Sequence, residues 1–416
     1  MKVLVMGAGV VGVTAAWQLL KDGHEVTLVE RLAEAADETS FGNAGAIAPG
    51  HAYAWSSPKA PMTLLRSLWR NDQALRFRFS LDPALWRWSL QFLGQCTNER
   101  YRRNTQNKHR LCAYSKSVLH EVLAETGIDH DRSTGGILYI YRDAASYQTR
   151  LQEMTILSEL GEELVPLSPD EVVRTEPALA AAREKIAGAI HARGDETGDC
   201  RKFTQALAAL CQEKGATVKY NTQVTGIAAA SDRVEKVLTD KGEEVADAYV
   251  MAMGFASPRF SKPLGLKLPI YPIKGYSVTL PIAGRNNPPE INGIDENNLC
   301  AFTRMGDRLR VTATAEFAGY DKSHRPSDYK HMLGAVRDLL PDAADYEAPD
   351  YWAGLRPMTP DNCPYIGRAG QSNLYYNTGH GHIGWTMSNG SARIVADMIA
   401  GREPAIEMTG DRKSVV

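Results

Sequence analysis

Three glycines near the start of the chain restrict its fold more than any other feature. Gly7, Gly9 and Gly12 stand in GxGxxG spacing within "VMGAGVVGVTAAWQLLKDGHEVTLVE", residues 5–30. The apolar run before them reads as a strand, and Val13, Ala16, Leu19 and Leu20 after them recur at helical spacing until Gly23. A second apolar run, residues 26–29, ends on Glu30, so the pattern predicts a βαβ start. Each glycine has its own reason: the first permits the tight turn, the second lets backbone approach a pyrophosphate, and the third lets helix and strand pack closely. The helix start offers unpaired N–H groups to a diphosphate, and Glu30 is placed to accept from a ribose hydroxyl. That acid disfavours a 2′-phosphate and leaves NAD and FAD both open.

Bulk composition excludes several classes of function. With 416 residues, 44% of them hydrophobic, the chain buries enough for two or three domains. Its 47 basic and 49 acidic side chains cancel, so no global field recruits nucleic acid. The six cysteines, at 96, 112, 200, 211, 300 and 363, form no CxxC pair, which argues against a zinc site or disulfide framework and for a reducing, cytoplasmic setting. The nucleotide motif leaves no room before it for a cleavable signal, and no run of about 18 apolar residues follows.

The expected architecture is α/β: a Rossmann-type nucleotide domain interrupted by a mixed-sheet α+β substrate domain. Residues 1–60, 195–268 and 351–410 are assigned to the first, and 61–194 and 269–350 to the second. Residues 136–142, 186–191, 269–280 and 298–313 read as strands of the mixed sheet. Residues 60–125 read as helical. Leu85, Trp88 and Phe92 mark one face there, and Trp86, Leu90 and Leu93 an adjacent one, rimmed by Arg66, Arg70, Arg76, Arg78 and Arg87. Packing against the rest of the protein explains that wide stripe, and so does peripheral contact of residues 62–93 with the inner face of a membrane. The last residues, "DRKSVV", read as a frayed end.

Two later segments favour FAD over NAD. "TSFGNAGAIAPG", residues 39–50, is rich in small residues where a long cofactor would continue across the domain. "NLYYNTGHGHIGWTMSNGSARIVADMIAG", residues 373–401, is again strand, glycine turn and helix, so a second helix N-terminus near residues 381–386 faces the same ligand. An isoalloxazine that becomes anionic on reduction benefits from that positive end, and a nicotinamide enzyme needs no such return.

These segments together resemble the FAD-dependent D-amino acid dehydrogenase family, within the glycine and D-amino acid oxidase-like superfamily. The blocks that carry the resemblance are the N-terminal fingerprint with Glu30 and Arg31, "NAG" at 43–45, "DETGDCRKFTQAL" at 195–207, "PIKGYSVT" at 272–279, "GLRPMTPDNCPYIG" at 354–367 and "GHGHIGWT" at 379–386. Asn362 departs from the small residue common there, and "HAYAW" at 51–55 also differs. The resemblance implies oxidation of the Cα–N bond of a D-amino acid, hydride passing to flavin N5, and imine hydrolysis to a 2-oxo acid and ammonia. It further implies a quinone-type or other electron acceptor. A secondary amine such as sarcosine, proline or a hydroxyproline isomer is the nearest alternative substrate, and an NAD-dependent dehydrogenase the alternative of another class.

The same resemblance places residues. Arg356 is expected to fork onto the substrate carboxylate. His51, Tyr53, Tyr271, Tyr276 and His382 are expected around the substrate. Gly7, Gly9, Val10, Val11, Gly12, Glu30, Arg31, Ser40, Asn43, Ala44, Gly45, Val224, Gly254, Lys274, His380, Gly381, His382, Ile383, Gly384 and Thr386 are expected at the cofactor, with Val224 near the adenine and Lys274 lending charge to the flavin. His380 and His382, spaced i, i+2, lack a completing Cys, Asp or Glu cluster, so no metal is expected. Asp199 reads as a helix N-cap.

Overall fold

The computed structural model describes residues 1–67, 74–78, 80–284 and 286–408, without the side chains of residues 66 and 67. Arg70, the Arg66 side chain and the "DRKSVV" end therefore lie outside the described residues.

The opening motif folds as its pattern demands. Strand Lys2–Met6 feeds the helix Val10–Lys21, and strand Glu25–Val29 returns parallel to the first. Around this pair grows a six-stranded sheet in the order Tyr365–Arg368, Leu374–Thr378, Ala248–Met251, Lys2–Met6, Glu25–Val29, Thr217–Lys219. Its strands come from both ends of the sequence because the middle of the chain leaves to build something else. Val13, Ala16 and Leu19 pack with Phe203 and Leu207 of the helix Cys200–Glu213 and with Ile394 and Val395 of the helix Gly384–Ile399. Asp199 caps Cys200–Glu213, its carboxylate accepting from the N–H groups of Arg201 and Lys202.

The second sheet is mixed and nine-stranded. Its main path runs Asp350–Met358, Tyr271–Pro281, Arg308–Phe317, Cys300–Met305, Asn292–Asp295, Ile137–Tyr141, Gly188–Ala192, Leu164–Leu167. A short strand the pattern did not announce, Leu75–Phe77, pairs parallel with Arg308–Phe317. The helix Lys330–Leu339 covers one face, burying Met332 and Val336 against Tyr276 and Val278.

Two assignments of the halves change. Residues 351–358 lie in the second sheet, paired with Tyr271–Pro281 from Tyr271↔Met358 to Thr279↔Asp350. The helix Asn98–Thr126 buries Leu111, Cys112, Leu119 and Val122 in the core of the nucleotide half. In the first case the apolar run is continuous with either half, and only pairing register decides. In the second the helix is polar overall, and its narrow apolar stripe does not say which partner it meets.

Helix Pro83–Gln95 divides as its two faces predict. Leu85, Trp88 and Phe92 are buried with Tyr271, Ile273 and Phe317, whereas Trp86, Leu90 and Leu93 are 53%, 71% and 44% exposed. Among the described residues no helix is long and apolar enough to cross a membrane.

Candidate active site

A cavity of about 1080 Å³ runs between the two sheets, and the opening turn, the closing turn and Arg356 all line it. At one end stand Gly7, Gly9, Val10, Val11, Glu30 and Arg31. The Glu30 carboxylate accepts from the N–H groups of Ala8 at 2.8 Å and Leu32 at 2.9 Å, which fixes it at the mouth of the turn. Arg31 pairs with Glu38. Val224 and Gly254 complete this end.

The three glycines separate into two kinds. Gly7 has φ +102°, and a Cβ there would lie 2.8 Å from the Ala252 carbonyl oxygen; a Cβ on Gly12 would lie 1.8 Å from the Gly7 carbonyl oxygen. Both are demanded by the protein itself. Gly9 has φ −70°, which any residue adopts, and a Cβ there would meet no protein atom closer than Ser40 Oγ at 3.4 Å. The space above Gly9 belongs to the cavity, which is the cradle a diphosphate requires. Neither Val10–Lys21 nor Gly384–Ile399 carries an acid in its first turn, so both present uncompensated positive ends. A dinucleotide with a ring that becomes anionic fits this pair of ends.

The middle of the cavity is walled by Ser40, Asn43 and Ala44 and by His380, Gly381, His382, Ile383 and Gly384. Ser40 Oγ accepts from the Val10 N–H at 3.1 Å. The second sheet tethers this segment: Thr303 donates to the Ala44 carbonyl at 2.7 Å and Arg310 to the Phe41 carbonyl at 2.9 Å. The buried His380 ring contacts Ser391 Oγ at 2.9 Å, and burial drops its pKa to about 3, so it is neutral.

Arg356 comes from strand Asp350–Met358. Opposite it, a Cβ on Gly275 would fall 2.4 Å from the guanidinium carbon, so this glycine makes the room Arg356 occupies. Arg356 Nη1 donates to the Thr314 carbonyl at 2.8 Å. Thr314 is the extra residue of a bulge between Gly275↔Ala315 and Tyr276↔Ala313, held at φ +65°, a conformation unusual for a β-branched residue. Among the described residues no carboxylate pairs with Arg356, and burial alone lowers its pKa to about 10. A cation so enclosed, with cavity on its open side, is built for an anionic group brought from outside.

Beside it stand His382 and its supports. Trp55 stacks on the His382 ring at 4.6 Å, and the Trp55 N–H donates to Asn362 Oδ1. Asn362 has φ +64°, the left-handed region that Gly and Asn tolerate best. Lys108 Nζ donates to the Tyr53 carbonyl at 2.8 Å and lies 3.4 Å from His382 Nε2. Fully buried, Lys108 is lowered to about 8 by desolvation. The ammonium makes Nε2 the acceptor and puts the ring proton on Nδ1. Desolvation first, then Lys108, Arg356 and His51, hold His382 well below its ordinary pKa. Replacing Lys108 with methionine removes a cation beside His382, so His382 protonates at higher pH. The acid limb of the pH profile for flavin reduction is then expected to move upward, read by stopped-flow absorbance between pH 5 and 10; an unmoved limb would contradict this role.

His51 and Tyr53 also line the cavity. His51 stacks on Tyr139 at 4.4 Å, and the Tyr139 hydroxyl donates to Asp195 at 2.7 Å, as does the Gly50 N–H at 2.8 Å. Burial raises Asp195 from its ordinary 3.8 to about 7. The folded chain thus holds this proton more tightly than the unfolded chain, so its contribution to stability is present below about pH 4 and lost as pH rises to about 7. Asp195→Asn is expected to flatten the fall in thermal midpoint between pH 4 and 7; an unchanged slope would place the titration elsewhere.

The family model of FAD-dependent oxidoreductases, DAO, matches residues 2–398. The chain belongs to that family. FAD is accordingly the cofactor of this oxidoreductase. Over 411 residues the oxidoreductase is 45% identical to D-amino acid dehydrogenase 2 of Mesorhizobium japonicum, covering 99% of both chains. It is also 45% identical to a D-amino acid dehydrogenase of Paramagnetospirillum magneticum, covering 99% of this chain and 97% of the other. Among solved structures it resembles glycine oxidase from Geobacillus kaustophilus with a TM-score of 0.77 at 23% identity, over 100% and 98% of the two chains. It likewise resembles L-proline dehydrogenase from P. horikoshii, with a TM-score of 0.75 at 19% identity, over 99% and 96%. These two structures share its fold.

Several residues expected at the site of the oxidoreductase do other work. Lys274 is fully buried off the cavity wall, its ammonium on the Ser323 carbonyl and 3.8 Å from Glu316. Tyr271 is covered by Trp88 in an apolar cluster. Tyr276 forms part of the wall, but its hydroxyl donates to Glu316 and its ring packs edge-on against Tyr329, so the hydroxyl is spent inside the protein. Gly12 serves helix packing, and Gly45, at φ +84°, a turn closed by Asn43 Oδ1 accepting from its N–H at 2.8 Å. Thr386 clamps residues 46–48, donating to the Ala46 carbonyl at 3.1 Å and accepting from the Ala48 N–H at 3.2 Å. Conversely, Lys108, Arg150 and Glu296 were not singled out. They sit in a polar helix, an ordinary amphipathic helix and a turn, where no local pattern marks a buried charge.

Proposed function

We propose that the protein is a dehydrogenase of D-amino acids, oxidising the Cα–N bond. The observation that carries this reading is Arg356, an enclosed guanidinium without a carboxylate partner, opening on the cavity that the nucleotide turns share. The name D-amino acid dehydrogenase on relatives of nearly equal length supports it.

Arg356 binds the substrate carboxylate through its fork and so fixes the orientation of Cα. His382, neutral, presents its Nδ1–H without adding a cation that would repel the iminium formed as the hydride leaves Cα. Trp55 and Tyr53 close the site against water. These turns would hold the FAD, which when bound would supply the two-electron acceptor for the Cα hydride. The amine loses a proton to solvent as the imine forms, and water then hydrolyses the imine to a 2-oxo acid and ammonia. No general base is required of the chain if the amine arrives neutral.

The electrons pass onward to a quinone-type acceptor. The open face of Pro83–Gln95, with Trp86 and Leu90 outward beside Arg87, supports docking on the inner surface of a membrane where such acceptors reside. The test is anaerobic flavin bleaching by D-amino acids against their L-enantiomers, proline analogues and sarcosine, followed by reoxidation with a soluble quinone or oxygen. Bleaching by D-enantiomers with release of ammonia and fast quinone reoxidation is expected. Bleaching by secondary amines alone would assign the site to them.

A further inference from the structure

Around His51 the cavity wall becomes polar, an arm of charged and hydroxyl groups that the reaction at Cα does not use. Tyr53, Arg150, Glu153 and Glu296 line it. The Arg150 guanidinium lies over the Tyr53 ring at 4.4 Å, 3.3 Å from Glu153 and 3.8 Å from Glu296. His51 Nε2 lies 2.7 Å from Glu296 Oε1. These groups neutralise one another but leave part of their hydrogen-bonding capacity open. The buried Tyr53 hydroxyl and Arg150 Nη1 lack a partner in hydrogen-bond geometry, while His51 Nε2 and Glu296 Oε1 have only each other. Tyr53 is 7% exposed and the Glu296 side chain 9%. Buried polar atoms left open are rare and call for a partner from outside the fold.

The charges decide what that partner is. Arg150 is balanced by Glu296, and Glu153 is shared with Lys59 at 3.1 Å, so two cations meet two carboxylates. A charged side chain would enter a balanced site and bring an unpaired charge with it. An aliphatic one would seal the open donors and acceptors away from water. A neutral group that both donates and accepts meets neither cost.

Resting on the reading above, we infer that this arm is the side-chain subsite, and that it selects D-amino acids with a neutral hydrogen-bonding side chain, a hydroxyl or a carboxamide. The neighbouring Arg356 holds the carboxylate, and Lys108 Nζ joins the Tyr53 carbonyl at 2.8 Å to His382 Nε2 at 3.4 Å, so the arm adjoins the place where Cα is held.

The experiment is anaerobic flavin reduction of the holoenzyme by matched pairs: D-threonine against D-valine and D-glutamine against D-methionine, with D-glutamate and D-lysine as charged arms. The neutral polar member of each pair is expected to reduce flavin at least about tenfold faster per unit concentration, and both charged substrates more slowly than D-glutamine. Tyr53→Phe and Arg150→Met are each expected to shrink the polar-to-apolar ratio, by about tenfold where a hydrogen bond to the substrate is lost. Tyr53→Phe also guards against misfolding, because the hydroxyl it removes has no protein partner and the thermal midpoint should hold. A preference for D-valine and D-methionine, faster reduction by a charged substrate, or ratios unmoved in both variants would overturn the subsite while leaving the D-amino acid reading intact. Absence of bleaching by every amino acid would overturn both.

Discussion

Arg356→Met is expected to cripple turnover while leaving the protein as stable as before or more so. The guanidinium is enclosed, lowered to about 10 by desolvation, and bonded to one neutral carbonyl. An isolated buried charge is a cost to the fold, which a methionine of similar volume relieves. A substrate carboxylate placed against that charge repays the cost only when bound. Arg356→Lys keeps the charge but loses the planar two-donor fork, and should raise KM by about 1.5–3 kcal/mol, roughly 10- to 150-fold. Arg356→Met should lose more. Steady-state kinetics and thermal melts of the two holoenzymes check this together. Lost stability with unchanged KM would make Arg356 a structural residue.

Gly9→Val is expected to empty the cofactor site without disturbing the fold. Its φ of −70° suits any residue, and a Cβ there meets only Ser40 Oγ at 3.4 Å, so the apo protein has room for the new side chain. The diphosphate does not. Overpacking by a few carbons costs about 1–3 kcal/mol, which weakens FAD binding by roughly 5- to 150-fold, and more if the turn cannot shift. Gly12→Ala is the contrast: its Cβ would lie 1.8 Å from the Gly7 carbonyl oxygen, so stability falls before flavin affinity is even tested. Flavin content from absorbance, with circular dichroism on the same samples, separates the two. Full flavin in Gly9→Val would move the diphosphate elsewhere.

The contrast between these glycines also shows where a sequence is readable. The turn from Gly7 to Glu30 constrains itself locally, through one strand, one helix and their close approach, and it folded as its spacing required. The two-sheet architecture was legible because strand and helix periods differ. Lys274 and Tyr276 were harder. They alternate with Ile273 and Gly275 along one strand, and a shift of one residue exchanges the two faces. "PIKGYSVT" does not state which face meets the cavity. The structure sets both Gly275 and Tyr276 on the wall, across a bulge, and turns Lys274 toward Ser323. Tyr271 shares the alternation of Gly275 but lies farther along, under Trp88, a helix that only tertiary packing places there. Lys108, Arg150 and Glu296 were invisible for a related reason. A charged residue on a polar helix or turn reads as solvated until the fold buries it.

The most direct test of the account is spectral. A small monocarboxylate such as acetate or propionate, titrated into the oxidised holoenzyme, should perturb the flavin absorption bands as it pairs with Arg356 beside the ring. The same titration of Arg356→Met should leave the bands unchanged up to a concentration about a hundred times higher. Equal perturbation in both proteins, or none in the native one, would separate the guanidinium from the flavin and contradict a shared cavity.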